Sequence, residues 1–159
     1  MKKIIFSMLA ISLVIMPQIF YSQNWTPEEE TILERVKTGW TSWQDAVNNK
    51  DLSIWLDAAD PMDDRHCWFV HEAGPRNIDD AKRNFEFRIQ DLSRLHMIKL
   101  TPLRIEVHEN VAFIWFYARY TTEDKNGNTS TFEDKRFEVY HKVDGKWRWS
   151  AGMVATEKS

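Results

Sequence analysis

Helices gathered in the first half and strands in the second predict an α+β domain. Three helices would lie on one face of a strongly curved, mostly antiparallel sheet of about five or six strands. Three observations carry this reading. Apolar residues recur at helical spacing up to about residue 92, and from Ser93 onward the apolar period shortens to two. Two hairpin signals, Asn126-Gly127-Asn128 and Asp144-Gly145, then divide the alternating stretch, because both contain residues that tolerate positive φ.

The chain opens with a leader-like segment rather than an element of the domain. Lys2 and Lys3 precede an uncharged apolar run from Ile4 to Met16, followed by polar Ser22, Gln23 and Asn24. The run is short for a membrane span, so residues 1–23 read as a secretory signal peptide, with a membrane anchor as the alternative. No Cys follows the run, which excludes lipid attachment there. The expectation is a secreted or periplasmic protein, free of the membrane once the leader is removed, with residues 24–159 as one domain.

The first helix of that domain has the clearest signature. Thr26 and Glu29 have the spacing of a capping box, Pro27 suits the first turn, and Glu28, Glu29 and Glu30 complement the helix dipole. Ile32, Val36, Trp40, Trp43 and Val47 form one apolar face, and the helix should end near Asn48–Asn49. A second, short helix is expected at Asp51–Ala59, closed by Pro61. An acidic stretch (Asp57, Asp60, Asp63, Asp64) leads to a strand candidate at His66–His71, and Gly74 and Pro75 should then break the chain. A third helix is expected at Asp79–Leu92, burying Ala81, Phe85, Ile89 and Leu92. Strands are expected at 94–101, 103–109, 111–122, 131–143 and 146–155, with Pro102 separating the first two and Glu109-Asn110 forming a short turn.

Composition narrows the function. The 159 residues carry a formal charge of −3, falling to −5 when Lys2 and Lys3 leave with the leader, which argues against a nucleic-acid partner. A single Cys excludes an internal disulfide framework, and only five Gly and five Pro exclude linker-like composition. Eight Trp in so short a chain is the unusual number.

The end of the chain carries a family resemblance. In the segment from Asn110 to Thr156, Ala112 lies on an apolar strand, Arg136 on the strand after the hairpin, and Lys142, Asp144, Gly145 and Trp147 at a Lys-x-Asp-Gly-x-Trp turn. With Trp40 and Trp43 on a long first helix, this resembles the nuclear transport factor 2-like superfamily, also called SnoaL-like or cystatin-like, over most of residues 25–156. The resemblance implies a cone-shaped fold with a pocket at its wide end. It also implies a range of functions: isomerases, dehydratases, cyclases, epoxide hydrolases, and plain binding or assembly domains. Enzymes on this fold use an Asp base with a Tyr donor, paired His with Tyr, or an Asp-Arg-Asp set. None of these sets maps residue by residue onto this sequence. Where many members carry a cavity-facing His or Ser in the last strand, this chain has Trp149, Ser150, Gly152 and Met153.

The residues themselves offer several candidates. Trp40, Trp43, Trp55, Trp68 and Trp149 can wall a pocket for an apolar or ring-containing small molecule, or simply fill the core. Arg136 and Glu138 share a strand parity with Tyr140. Facing the cavity, Arg136 could bind a carboxylate or enolate-like oxygen; facing water, it would be a cross-strand partner of Glu138. Asp64, His66, Tyr117 and Arg136 are the acid–base candidates, His66 because a neighbouring carboxylate can fix its tautomer. His66, Cys67 and His71 do not share a strand face, so no metal is expected, and no cofactor. Along 111–119, the Ala112, Ile114, Phe116, Ala118 set is assigned to the helix-packed face. Phe113, Trp115 and Tyr117 then lie on the outer face, where they could support a homodimer. The alternatives are thus a ligand-binding domain, a cofactor-independent isomerase, dehydratase or cyclase, and a dimeric interaction module.

Overall fold

The computed structural model of the chain describes residues 24–62, 67–70 and 73–158. The leader expected at 1–23 lies outside the described residues, as do Asp64, His66 and His71. The elements run α1 (Pro27–Asn49), α2 (Leu52–Ala59), β1 (Cys67–Val70), β2 (Ala73–Arg76), α3 (Ile78–Asp91), β3 (Leu92–His108), β4 (Val111–Asp124), β5 (Thr129–Val143) and β6 (Lys146–Lys158). The strands form one sheet in the order β2-β1-β6-β5-β4-β3, antiparallel except where β1 runs parallel to β6. The sheet is curled and the helices cover its inner face, so the expected α+β architecture is the one observed.

The local chemistry of α1 is as the spacing predicts. The Thr26 side chain accepts from the Glu29 backbone at 3.3 Å, and the Glu29 carboxylate accepts from the Thr26 backbone at 2.7 Å. Ile32, Val36, Trp40, Trp43 and Val47 are all buried. At the other end Lys50 takes the left-handed conformation, φ 60°. Its ammonium reaches the carbonyls of Ile89, Leu92 and Ser93, which fastens the end of α3 to the end of α1. The short helix α2 is capped by Asp51, whose carboxylate accepts from the Ser53 backbone at 2.9 Å.

Two expectations about strands are corrected. Pro102 does not separate 94–101 from 103–109: β3 is continuous from Leu92 to His108. Its ladder is irregular between Pro102 and Arg104, and β3 is the edge strand of the sheet, where a residue without an N–H is tolerated. Nor do Gly74 and Pro75 break the chain into a loop, because Ala73–Arg76 pairs antiparallel with β1 as the opposite edge strand. The strand candidate at His66–His71 is observed as Cys67–Val70.

Both hairpin signals behave as expected. Gly127 has φ 80°, and the pair Asp144 (φ 51°) and Gly145 (φ 76°) makes the tight turn between β5 and β6. On β4 the parity assignment holds. Ala112, Ile114, Phe116 and Ala118 are completely buried beneath the helices, while Phe113, Trp115 and Tyr117 are partly exposed on the other face.

Candidate functional site

β5 is flanked on both sides, by β4 and by β6, and its inward residues are Asp134, Arg136, Glu138 and Tyr140. Four polar side chains at alternate positions on such a strand would be expensive to bury unless something were built around them. The neighbours make the room. Across β4 they face Ala118, Phe116, Ile114 and Ala112, and across β6 they face Thr156, Val154, Gly152 and Trp149. The small residues Ala118, Ala112 and Gly152 leave space beside the larger ones.

A bulge sets the last of these neighbours. Trp149 and Gly152 are three apart, so in a regular strand they would point to opposite faces. The ladder between β5 and β6 shifts at Val139/Tyr140 and inserts Ser150, so that Trp149 and Gly152 both face inward. The inserted Ser150 is itself buried. Its hydroxyl donates to the Val139 carbonyl at 3.1 Å and lies 2.8 Å from Nδ1 of His141.

The polar groups pair with one another. Asp134 accepts from Thr156 Oγ1 at 2.7 Å, from the Tyr120 hydroxyl at 3.2 Å and from the Arg136 guanidinium at 3.1 Å. Arg136 Nε lies 3.3 Å from Glu138 Oε1, and the Tyr140 hydroxyl donates to Glu138 Oε2 at 2.9 Å. Above this row, the guanidinium carbon of Arg136 sits 4.8 Å from the Trp40 ring centroid, in cation–π geometry. The result is a guanidinium held between two carboxylates, each side chain roughly nine-tenths buried or more. Burial pushes the Glu138 carboxyl above its ordinary value, against the opposing pull of Arg136. Burial likewise raises both phenols, Tyr120 and Tyr140, helped by the carboxylate beside each.

Aromatic rings complete the walls. Trp43, Trp55 and Phe85 meet pairwise at centroid distances of 4.4–6.2 Å, and Trp55 packs edge-on to Trp149 at 5.8 Å. Trp40 tilts against Tyr120 at 5.6 Å. Between these rings and the polar row lies a cavity of about 100 Å³. It is somewhat smaller than the ~150 Å³ that admits benzene in an engineered apolar core. Its exposed lining residues, where it meets solvent, are Arg88 on α3, one turn from the half-buried Asn84, and Thr156 on β6.

Of the residues singled out from sequence, Trp40, Trp43, Trp55, Trp149 and Arg136 line this cavity. Trp68 lies on β1, paired through its backbone with Gly152. Asp64 and His66 fall outside the described residues. Tyr117 stands on the opposite face of the sheet, beside Lys135, because it shares its parity with Trp115 rather than with Phe116. It is therefore separated from Arg136 by the sheet. Sequence reasoning missed Asp134, Tyr120, Thr156 and Arg88. The alternation Asp134-x-Arg136-x-Glu138-x-Tyr140 was the available signal for the first, once the inward parity was known.

Comparison with known proteins yields the fold. No family model matches the chain, and no curated protein matches its sequence. Solved structures do match. A nuclear transport factor 2-like superfamily protein from Salmonella enterica superposes with a TM-score of 0.62 at 17% identity, covering 79% of this chain and 91% of that one. A hexachlorocyclohexane dehydrochlorinase from Novosphingobium barchaimii gives 0.60 at 15% identity, covering 80% and 88%. A nuclear transport factor 2-like protein from Cytophaga hutchinsonii gives 0.57 at 15%, covering 83% and 100%. At these identities the likeness speaks to architecture alone: the domain has the fold of nuclear transport factor 2-like proteins.

Proposed function

We propose that this domain binds a small, largely apolar, ring-containing molecule in the cavity between Trp40, Trp43, Trp55, Phe85 and Trp149. The observation that carries the reading is the shape of that space. Aromatic faces surround a space of about 100 Å³ that meets solvent, and polar side chains stand along β5 and on α3, an arrangement that orients a ligand as well as holding it. One structural neighbour is a hexachlorocyclohexane dehydrochlorinase, named for an apolar, ring-containing substrate, which is compatible with the reading.

A second reading is favoured by the polar row. Two carboxylates and a guanidinium meet at one cavity wall, and Glu138 is biased toward its protonated form while Asp134 accepts three donors as a carboxylate does. An acid and a base side by side, on the same wall as a bound ring, are the parts of cofactor-independent proton transfer, as in isomerisation, dehydration or epoxide opening. Asp134 would take the part of base and Glu138 that of acid, with Arg136 holding both and stabilising developing negative charge.

One experiment addresses both readings. The protein is titrated with small cyclic ketones, epoxides and aromatic compounds while its Trp emission is followed, and the saturating compounds are then incubated with it in D2O. Saturable quenching is the expected result, lost when Trp43 is replaced by Ala. No saturable quenching by any of these compounds would sink the binding reading. Binding without turnover or carbon-bound deuterium exchange above the uncatalysed rate would leave a binding domain and remove the enzymatic one.

A further inference from the structure

The charge distribution around the cavity differs from that of the chain. The protein as a whole is acidic, with a formal charge of −3. Among the described residues lining the cavity there are three guanidiniums, Arg35, Arg88 and Arg136, against two carboxylates, Asp134 and Glu138. Burial also holds a proton on Glu138 to higher pH than on an ordinary glutamate, which tips the balance further toward positive. A low-dielectric space with an excess of cations favours an anion.

Two of the three guanidiniums are committed to the fold. Arg35 donates to the carbonyls of Trp147, Ala58 and Ala59 at 2.9–3.1 Å. Arg136 is held by Asp134, by Glu138 and against Trp40. Arg88 differs. It is exposed at the cavity mouth, and among the described residues no carboxylate pairs with it. It lies one helical turn from Asn84, so the two polar side chains share a face of α3, with Phe85 beside them in the wall. It is close enough to Tyr120 for its charge to bear on the phenol. Its place in the last turn of α3 also complements the helix dipole, but that role requires no cavity.

We propose that the ligand of this site is a small organic anion, its ring among the aromatic side chains and its carboxylate, or a group of like charge and shape, received at the mouth by Arg88 with Asn84. A guanidinium fork matches a carboxylate with two parallel hydrogen bonds, which a neutral amide of the same shape cannot match in strength. The inference rests on the binding reading above and adds the charge of the ligand to it.

Benzoate and benzamide are matched probes, nearly identical in shape and different in charge. Binding of each to the full domain is measured by Trp emission and calorimetry. At low ionic strength benzoate should bind about tenfold more tightly than benzamide, a gap that narrows to about twofold in 0.5 M salt because the mouth is open to solvent. Arg88→Gln should abolish the preference by weakening benzoate about tenfold, to the level of benzamide, and Arg88→Lys should restore part of it. Circular dichroism establishes that both variants are folded. Equal affinities in the parent protein, or a preference that survives Arg88→Gln, would overturn the anion assignment and leave the pocket reading intact. If neither probe binds saturably, the pocket reading fails, and this inference with it.

Discussion

Glu138 concentrates the physical tension of the site in one side chain. Both of its oxygens have partners, Arg136 and Tyr140, yet the side chain is buried, only 6% of the residue remaining exposed. Desolvation outweighs the guanidinium, and the folded-state value rises above the ordinary 4.5. The linkage sign follows. A carboxyl that binds its proton more tightly when folded than when unfolded contributes stability that is fully present below the unfolded value. That contribution is lost as the pH rises through the folded one. Glu138→Gln keeps an uncharged acceptor of the same shape and cannot ionise. The difference in unfolding free energy between the parent protein and this variant should therefore move against the parent as the pH rises above about 4.5, and level off once Glu138 is ionised in the folded state. Urea titrations at a series of pH values measure it. A difference that stays constant, or moves in favour of the parent, would mean that Arg136 dominates and that Glu138 is an ordinary ion-pair carboxylate. Arg136 was legible in the sequence as a residue with two alternative environments. What decides between them is the register of β5 against β4, a property of paired strands that no single strand reveals.

At the scale of elements, local chemistry and legibility go together. The capping box of α1, the Asp51 cap of α2 and the Asp144-Gly145 turn are written in a few adjacent residues, and each was readable for that reason. The edge strand β2 and the unbroken course of β3 through Pro102 depend on partners distant in sequence, and so does the bulge at Ser150 that turns Trp149 inward. The end of α2 shows the same dependence. Its last carbonyls, Ala58 and Ala59, are received by Arg35 from α1, which also holds the Trp147 carbonyl of β6. Arg148 from β6 then binds Asp60 and the Pro61 carbonyl. A cation at the carbonyl end of a helix is favourable twice over, through the hydrogen bonds and through the dipole. Arg35→Met retains much of the apolar stem and leaves three carbonyls without this donor. It should lower the unfolding free energy by about 3 kcal/mol, since hydrogen bonds from a charged donor are the strong ones and stranded acceptors carry their own penalty. Chemical denaturation tests this, and a loss below about 1 kcal/mol would mean that water replaces the guanidinium at little penalty.

The whole molecule has two faces of opposite design. The inner face of the sheet is covered by helices and holds the cavity. The outer face has no helix over it among the described residues, and there Phe113, Trp115 and Phe137 form a connected aromatic cluster. Phe113 and Phe137 are stacked at 6.1 Å, and Trp115 and Phe137 meet at 4.9 Å. Met153, opposite Phe137 on β6, is 54% exposed, and Arg104 from the edge strand lies 5.7 Å over the Trp115 ring. Single exposed apolar residues are ordinary on a protein surface, whereas a contiguous aromatic patch on an open sheet is not. We propose that a second copy of the chain covers it, with the two sheets packed face to face and aromatic side chains at the centre of the contact. An isologous contact of that kind places each chain's Trp115 near the interface core, so one substitution acts twice. Trp115→Glu should convert a dimer to a monomer, with a loss of at least about 100-fold in association, because two carboxylates would be buried where two indoles packed. Light scattering coupled to size exclusion at micromolar concentration measures the mass, and the inner cavity serves as the control. The variant should still quench with any compound the parent binds, because the sheet separates Trp115 from the pocket. A parent protein that is already monomeric at that concentration would leave the patch to some other occupant and end the dimer reading.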